Sequence, residues 1–281
     1  MRLSTRIEDI MIKNIVHFNV QQIADSGQCF RMNNIGDNTY RLVAFNKYLE
    51  IEQLDKNQVN FRCEDEDFET LWADYFDLNY DYGNVVHSIH NSEDDFLKKA
   101  VEYGEGIRIL KQDLWETIVS FIISQRKSIP AIKSTIEKLC MKFGEKKSFE
   151  GKVYYTFPSP EVIAEQSMED LQGLALGYRD KYILSTAKTI ANGAVDLEHI
   201  KQMNREDAIL ELKKLSGVGE KVANCVALYG MHKIDAFPID VWIKRVVDTY
   251  YGGSFDTNTY KGFNGIVQQY MFYYMKNSYT P

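Results

Sequence analysis

Two periodicities divide the chain. In the first hundred residues apolar and polar positions alternate over short runs: Ile15–Val20, Thr39–Phe45, Tyr48–Glu52 and Val59–Cys63. A period of two places every second side chain on one face, as in a strand with one buried side. Turn-forming residues separate the runs, Asn33–Asn38 and then Asn46 and Lys47, so the pattern predicts an antiparallel sheet with one face on a core. Two helical segments follow, near Asp65–Phe76 and Val85–Glu102. Beyond Gly104–Gly106 the period becomes helical. Leu114, Ile118, Phe121 and Ile122 share one face, and Ile132, Ile136, Leu139 and Cys140 share the next. Further helices are predicted at Pro160–Ala164, Met168–Leu174, Arg179–Asn192, Arg205–Leu215, Glu220–Tyr229, Val241–Tyr250 and Asn264–Lys276. Ser159 stands before one start, and Gly144 and Gly193 stand after two ends. The predicted organisation is α+β: an N-terminal antiparallel sheet domain with helices over residues 1–104, then an all-helical domain over 105–281.

Composition narrows the class. The 281 residues, 44% hydrophobic and 26% charged, suit a globular chain with room for two or three domains. No apolar run reaches the length of a membrane-spanning helix, and Met1–Asp9 has no apolar signal core, so a cytoplasmic location is expected. Cys29, Cys63, Cys140 and Cys225 are far apart and form no CxxC pair, which argues against a zinc site or an iron–sulfur cluster and fits a reducing compartment. A net charge of −7 counts against nucleic-acid binding for the chain as a whole. Its distribution qualifies that. Acids crowd Glu64–Asp67 and Glu93–Asp95, whereas Lys111–Lys147 is basic and contains Arg126, Lys127, Lys133 and Lys138. A DNA face needs local positive charge, although charge alone fits solvated helix faces more simply.

The chemistry concentrates between Leu215 and Arg245. Gly217-Val218-Gly219 joins two helical patterns through a very short turn. It reads as a plain helix connection, or as a turn that lets a phosphate reach the free N–H groups at a helix start. Lys221 falls in the first turn of the following helix, where the helix dipole disfavours a cation. It is a surface lysine, or an amine kept for Schiff-base chemistry. Cys225 lies one turn on, on the same face. Asp240 follows Phe237-Pro238-Ile239 and reads as a helix N-cap, or as a carboxylate facing Lys221 that stabilises a cationic sugar.

The order of helix, Gly-x-Gly hairpin, lysine, Pro-containing loop and aspartate resembles the helix-hairpin-helix, Gly/Pro-rich loop, aspartate superfamily of DNA glycosylases. Within it the chain is most similar to the 8-oxoguanine DNA glycosylase/AP lyases. Ser26-Gly27-Gln28-Cys29-Phe30-Arg31 resembles that family's Ser-Gly-Gln-x-Phe-Arg segment, and Gln112–Glu116, Ser120–Ser124, Phe157–Ser159 and Leu176–Tyr182 also match. The resemblance implies a two-lobed helical glycosylase core with its helix-hairpin-helix at about 205–230. It also implies base flipping out of duplex DNA, excision of 8-oxoguanine and β-elimination, by a monomer without a redox cofactor or catalytic metal. In these terms Lys221 is the nucleophile and Asp240 the catalytic carboxylate. Gly27 offers its carbonyl to the N7–H that 8-oxoguanine has and guanine lacks. Phe272 stacks on the flipped base, Gln268 meets its Watson–Crick edge, and Cys225 forms the other wall. The four-residue spacing of Gln268 and Phe272 puts both on one helix face. Gly217, Gly219, Arg126, Lys127, Tyr178, Arg179 and Trp242 are the implied DNA contacts.

The chain also departs from that pattern. Ser124–Ser128 stands where the eukaryotic members carry an Asn-rich turn, Ala131 aligns with an arginine, and Trp242 with a histidine. Arg179 is kept as a reader of the opposite base. Weaker discrimination for opposite cytosine is therefore expected. Two alternatives stay open: a monofunctional alkylated-base glycosylase, which would not need Lys221, and a noncatalytic helix-hairpin-helix DNA-binding protein.

Overall fold

The computed structural model describes residues 11–279; the Met1–Asp9 stretch read for a signal core lies outside them. Five strands, β1 (Met11–Asn14), β2 (Met32–Gly36), β3 (Thr39–Ala44), β4 (Lys47–Gln53) and β5 (Gln58–Arg62), form an antiparallel sheet in the order β1-β5-β4-β3-β2. Phe45 and Asn46, both with positive φ, close the two-residue β3–β4 hairpin, the geometry that matches strand twist. Leu42, Leu49, Ile51, Val59 and Phe61 are its buried face. Between β1 and β2 lies helix α1 (Val20–Asp25).

The alternation at Ile15–Val20 is not a strand. Pairing ends at Asn14, and Asn19 starts α1 by accepting the Gln22 N–H at 2.9 Å. A good N-cap satisfies an orphan helix donor, and here it overrides the period-two pattern.

A short helical stretch follows: α2 (Asp65–Asp67), a π-type turn at Phe68–Trp72 and α3 (Ala73–Tyr75). The segment predicted as one helix near Val85–Glu102 is two, α4 (Tyr82–His90) and α5 (Asp95–Gly104), because Asp94 caps a new start by accepting the Leu97 N–H at 2.9 Å. Helix α6 (Leu114–Ser124) is buried on nearly every side and forms the axis of the helical region. Helix α7 (Ile129–Phe143) leads to a hairpin, β6 (Lys146–Phe149) and β7 (Lys152–Tyr155), turned by Glu150 and Gly151 with positive φ. The hairpin packs back on the sheet domain, where Lys152 Nζ reaches Glu50 at 2.6 Å.

After α8 (Pro160–Ala164), the helix predicted at Met168–Leu174 is a series of turns. Ser167 and Asp170 bond to each other there, and Gly173 at φ +80 ends the segment before a helix can propagate. The remaining helices are α9 (Asp180–Ala191), α10 (Leu197–Gln202), α11 (Arg205–Leu212), α12 (Glu220–Tyr229), α13 (Val241–Tyr250) and α14 (Asn264–Ser278). Among the described residues no helix is long and apolar enough to cross a membrane.

Among the described residues two apolar cores form, one under the sheet and one through the helices, and α4 and α5 pack into the second. Two buried arginines brace the halves together. Arg108 donates to the carbonyls of Val16 and His17 at 3.0 Å, and Arg31 pairs with Glu137 at 3.1 Å.

Candidate active site

The hairpin between α11 and α12 uses its two glycines for different reasons. Gly217 sits at φ +81, and a Cβ there would lie 2.8 Å from Tyr182 Cβ. Its carbonyl accepts Gln125 Nε2 at 2.9 Å, which ties the hairpin to the end of α6. Gly219 is extended, with φ −94 and ψ −176, and caps α12 without a side-chain bond. A Cβ at Gly219 would meet nothing within 4 Å. The first N–H groups of a ten-residue helix therefore open onto free space, the arrangement that receives an anion.

Lys221 is half-buried in the first turn of α12, its Nζ 5.0 Å from the centroid of the Phe121 ring. Cys225 is buried one turn on; burial pushes its thiol up, and the charge of Lys221 opposes the shift. Asp240 caps α13, one carboxylate oxygen accepting the N–H groups of Trp242 at 2.9 Å and Ile243 at 2.8 Å. Burial raises the Asp240 pKa, against those hydrogen bonds and the field of Lys221. Lys221 and Asp240 make no ion pair within 4.0 Å, so the cation and the carboxylate face each other across a gap.

That gap is a cavity of about 690 Å³. Gly27, on the loop between α1 and β2, forms one wall at φ +77, and a Cβ there would stand 3.1 Å from the Phe272 ring. Gln268 lies one turn before Phe272 on α14 and is 3% exposed. Its Nε2 donates to the Pro238 carbonyl at 3.2 Å, which leaves Oε1 buried and without a partner. The carbonyls flanking Gly27 are both taken: Gln269 donates to Ser26, and Gln112 donates to Gln28 at 2.8 Å. Among the described residues no donor pairs with the carbonyl of Gly27 itself. The cavity is thus lined by an aromatic ring, an amine and a carboxylate, and by two residues, Gly27 and Gln268, that each carry an acceptor without a donor. Its cations, Arg126, Lys127, Lys221, Lys244 and Lys276, outnumber the single acid Asp240, so the mouth is locally positive on an acidic chain.

Known proteins align with this arrangement. The 8-oxoguanine DNA glycosylase N-terminal domain matches residues 10–118, and the HhH-GPD superfamily base excision DNA repair protein matches residues 119–267. A probable N-glycosylase/DNA lyase of Methanothermobacter thermautotrophicus is 33% identical over 72% of this chain and 73% of its own length. The chain belongs to the 8-oxoguanine DNA glycosylase family of the HhH-GPD superfamily. The solved 8-oxoguanine glycosylase/lyase of Clostridium acetobutylicum, in complex with duplex DNA containing cytosine opposite 8-oxoguanine, is 37% identical, with 96% of both chains covered and a TM-score of 0.90. The N-glycosylase/DNA lyase of Saccharomyces cerevisiae is 33% identical over 66% of this chain, which spans 52% of the yeast protein.

In this HhH-GPD protein the fold brings Gly27, Lys221, Cys225, Asp240, Gln268 and Phe272 to one cavity, with Arg126, Lys127 and Trp242 at its rim. Gly217 and Gly219 lie on the hairpin behind Lys221. Tyr178 is 47% exposed. Arg179 beneath it is buried, its guanidinium 4.5 Å from the Tyr178 ring centroid, and its N–H groups go to the carbonyls of Gln125 and Leu176. It braces the α6–α7 loop in this conformation and does not face solvent. Lys127 also folds inward, to Thr135 Oγ1 at 2.7 Å and the Ala175 carbonyl. Arg126, exposed at φ +52 on the loop tip, is the cation that projects. Ala131 places a methyl on the first turns of α7.

Sequence reasoning missed Phe121, Gln125, Gln269, Lys244 and Lys276. Only Gln269 carried a local signal, as a second polar residue beside Gln268 in an otherwise aromatic and apolar run.

Proposed function

We propose that the protein is a bifunctional DNA glycosylase/AP lyase that excises 8-oxoguanine from duplex DNA, acting as a monomer in the cytoplasm without a cofactor. One observation carries the reading: Lys221 and Asp240 line one cavity with Gly27 and Gln268, and among the described residues no donor pairs with the buried Gln268 Oε1 or with the Gly27 carbonyl. A guanine-type base donates from its Watson–Crick edge, which suits the first acceptor. The N7–H of the 8-oxo form suits the second, and guanine offers a lone pair there instead.

DNA enters with phosphates at the start of α12, and Arg126 and Tyr178 press on the duplex beside the cavity. Extrusion of the nucleotide costs about a few kcal/mol, offset by stacking on Phe272 and by the two polar contacts. Lys221 gives up a proton to solvent, and its nitrogen attacks C1′. The glycosidic electron pair leaves with the base, and Asp240 stabilises the positive charge that develops on the sugar. Loss of a proton from nitrogen and opening of the sugar give the imine. Removal of a C2′ proton then expels the 3′ phosphate by breaking the C3′–O bond.

The test is excision on a duplex carrying one 8-oxoguanine. Base release with strand scission, both lost in Lys221→Gln, supports the reading. Release without scission favours a monofunctional glycosylase, and binding without release favours a noncatalytic module.

A further inference from the structure

Gln269 takes no part in the chemistry above and turns away from the base cavity, yet it is 1% exposed and fully engaged. Its Nε2 donates to the Ser26 carbonyl, and its Oε1 accepts the Tyr229 hydroxyl at 2.5 Å. The Ser26 carbonyl can only accept, so it fixes the end of the amide that faces it as NH2 and leaves the oxygen to accept from the tyrosine. Tyr229 is held in turn by its ring, stacked on Phe121 at 5.5 Å and 14°.

The other flank of the loop is clamped as well. Gln112 Nε2 donates to the Gln28 carbonyl at 2.8 Å, while the Gln28 side chain donates to Arg108 O at 2.9 Å and accepts from Leu110 N at 2.8 Å. The carbonyls before and after Gly27 are therefore both fixed, and the one between them is left open. A glycine at φ +77 has wide backbone freedom of its own. Recognition of a single N–H requires that its carbonyl stay within about 2.7–3.2 Å of the donor and in line with it.

We infer that the Tyr229–Gln269–Ser26 hydrogen-bond chain is a positioning device: it aims the Gly27 carbonyl and so sets the selectivity for 8-oxoguanine over guanine. The inference rests on the proposed excision of 8-oxoguanine. Tyr229 and Gln269 are positioning residues. The chain runs from the helix that carries Lys221 to the loop that reads the lesion, and it couples the two halves of the site.

The test uses the full chain, with Tyr229→Phe, Gln269→Met and the double variant. Single-turnover release of 8-oxoguanine and of guanine is measured in matched duplexes, beside cleavage of a preformed abasic site. Abasic-site cleavage needs Lys221 but no base recognition. Each single variant is expected to lose about tenfold in selectivity, with little further loss in the double variant, because both remove one coupled chain. Abasic-site cleavage is expected to stay within about twofold of the unsubstituted protein. Unchanged selectivity overturns the inference alone. Parallel loss of release and abasic-site cleavage also overturns it, since that reports general packing. Failure of the unsubstituted protein to release 8-oxoguanine overturns the functional reading, and this inference with it.

Discussion

The two hairpin glycines should fail in opposite ways when each gains one methyl group. At Gly217 the backbone is left-handed, φ +81, where an alanine costs about 1–2 kcal/mol. The added Cβ would also meet Tyr182 Cβ at 2.8 Å and two ring carbons at 2.9 Å, and both lie close to the backbone, so α9 or the hairpin must shift. Overpacking of that kind costs about 1–3 kcal/mol. Gly217→Ala should therefore lose about 2–5 kcal/mol, on the order of 10 °C in Tm. At Gly219 the backbone is extended and the space is empty, so the stability cost is the weaker N-cap alone, under about 1 kcal/mol. That empty space is where a phosphate would approach the N–H groups of α12. Gly219→Ala should thus fold almost normally and bind a duplex at least tenfold more weakly, about 1.4 kcal/mol. Its binding should also depend less on salt, with the log–log slope falling by about 0.9 for one lost phosphate contact. Thermal unfolding by circular dichroism and fluorescence titration of an abasic-analogue duplex at several salt concentrations measure both quantities. If Gly219→Ala unfolds as early as Gly217→Ala, or binds DNA like the unsubstituted protein, the assignment of these roles is wrong.

Asp240→Asn keeps an oxygen to cap α13 and removes a charge whose burial raises its pKa. A raised carboxyl pKa means that the folded state holds the proton more tightly. The ionised form therefore costs stability above that pKa, and the cost is relieved as pH falls through it. Asp240→Asn should match or exceed the original Tm at pH 8 with excision abolished, whereas Asp240→Ala should also lose about 0.5–2 kcal/mol with the cap; a large drop in the Tm of Asp240→Asn would contradict this. Glu116 on α6 is pushed up to about 8 by burial, against the pull of Arg31. By the same sign, its penalty is complete above about pH 8 and fades toward pH 4.5, the ordinary value. Glu116→Gln should raise Tm most near pH 9 and least near pH 4, and a gain independent of pH would rule this out. With Arg179 bonded to Gln125 and Leu176, Lys127 turned inward and Ala131 apolar, excision rates opposite the four bases should lie within about tenfold. A strong cytosine preference would show that Arg179 leaves its carbonyls on binding DNA.

Much of the site could be read from residue order because its parts are local. The Gly-x-Gly turn, a lysine at the second position of a helix and an aspartate at an N-cap are each fixed by neighbours in sequence, and α12 and α13 begin and end where their patterns predict. The helix face shared by Gln268 and Phe272 held for the same reason. What stayed hidden depends on partners distant in the chain. Phe121 lies beneath Lys221 only because α6 threads the helical core. The inward turns of Arg179 and Lys127 depend on carbonyls at Gln125 and Ala175 that no local pattern reveals. Two misreadings in the first hundred residues came from caps, Asn19 starting a helix inside an alternating run and Asp94 dividing one predicted helix into two, and a third came from pairing, since Met32–Gly36 joins β3 as β2 although Asn33–Asn38 reads as a turn.

The mechanism stands or falls on which residue joins the sugar. Incubation with an 8-oxoguanine duplex in the presence of borohydride should reduce the imine to a stable protein–DNA crosslink. After proteolysis and nuclease digestion, mass spectrometry should then find the sugar remnant on Lys221, with no crosslink formed by Lys221→Gln. A remnant on Lys244 or Lys276, two other lysines that line the cavity, or a crosslink that survives in Lys221→Gln, would contradict the assignment.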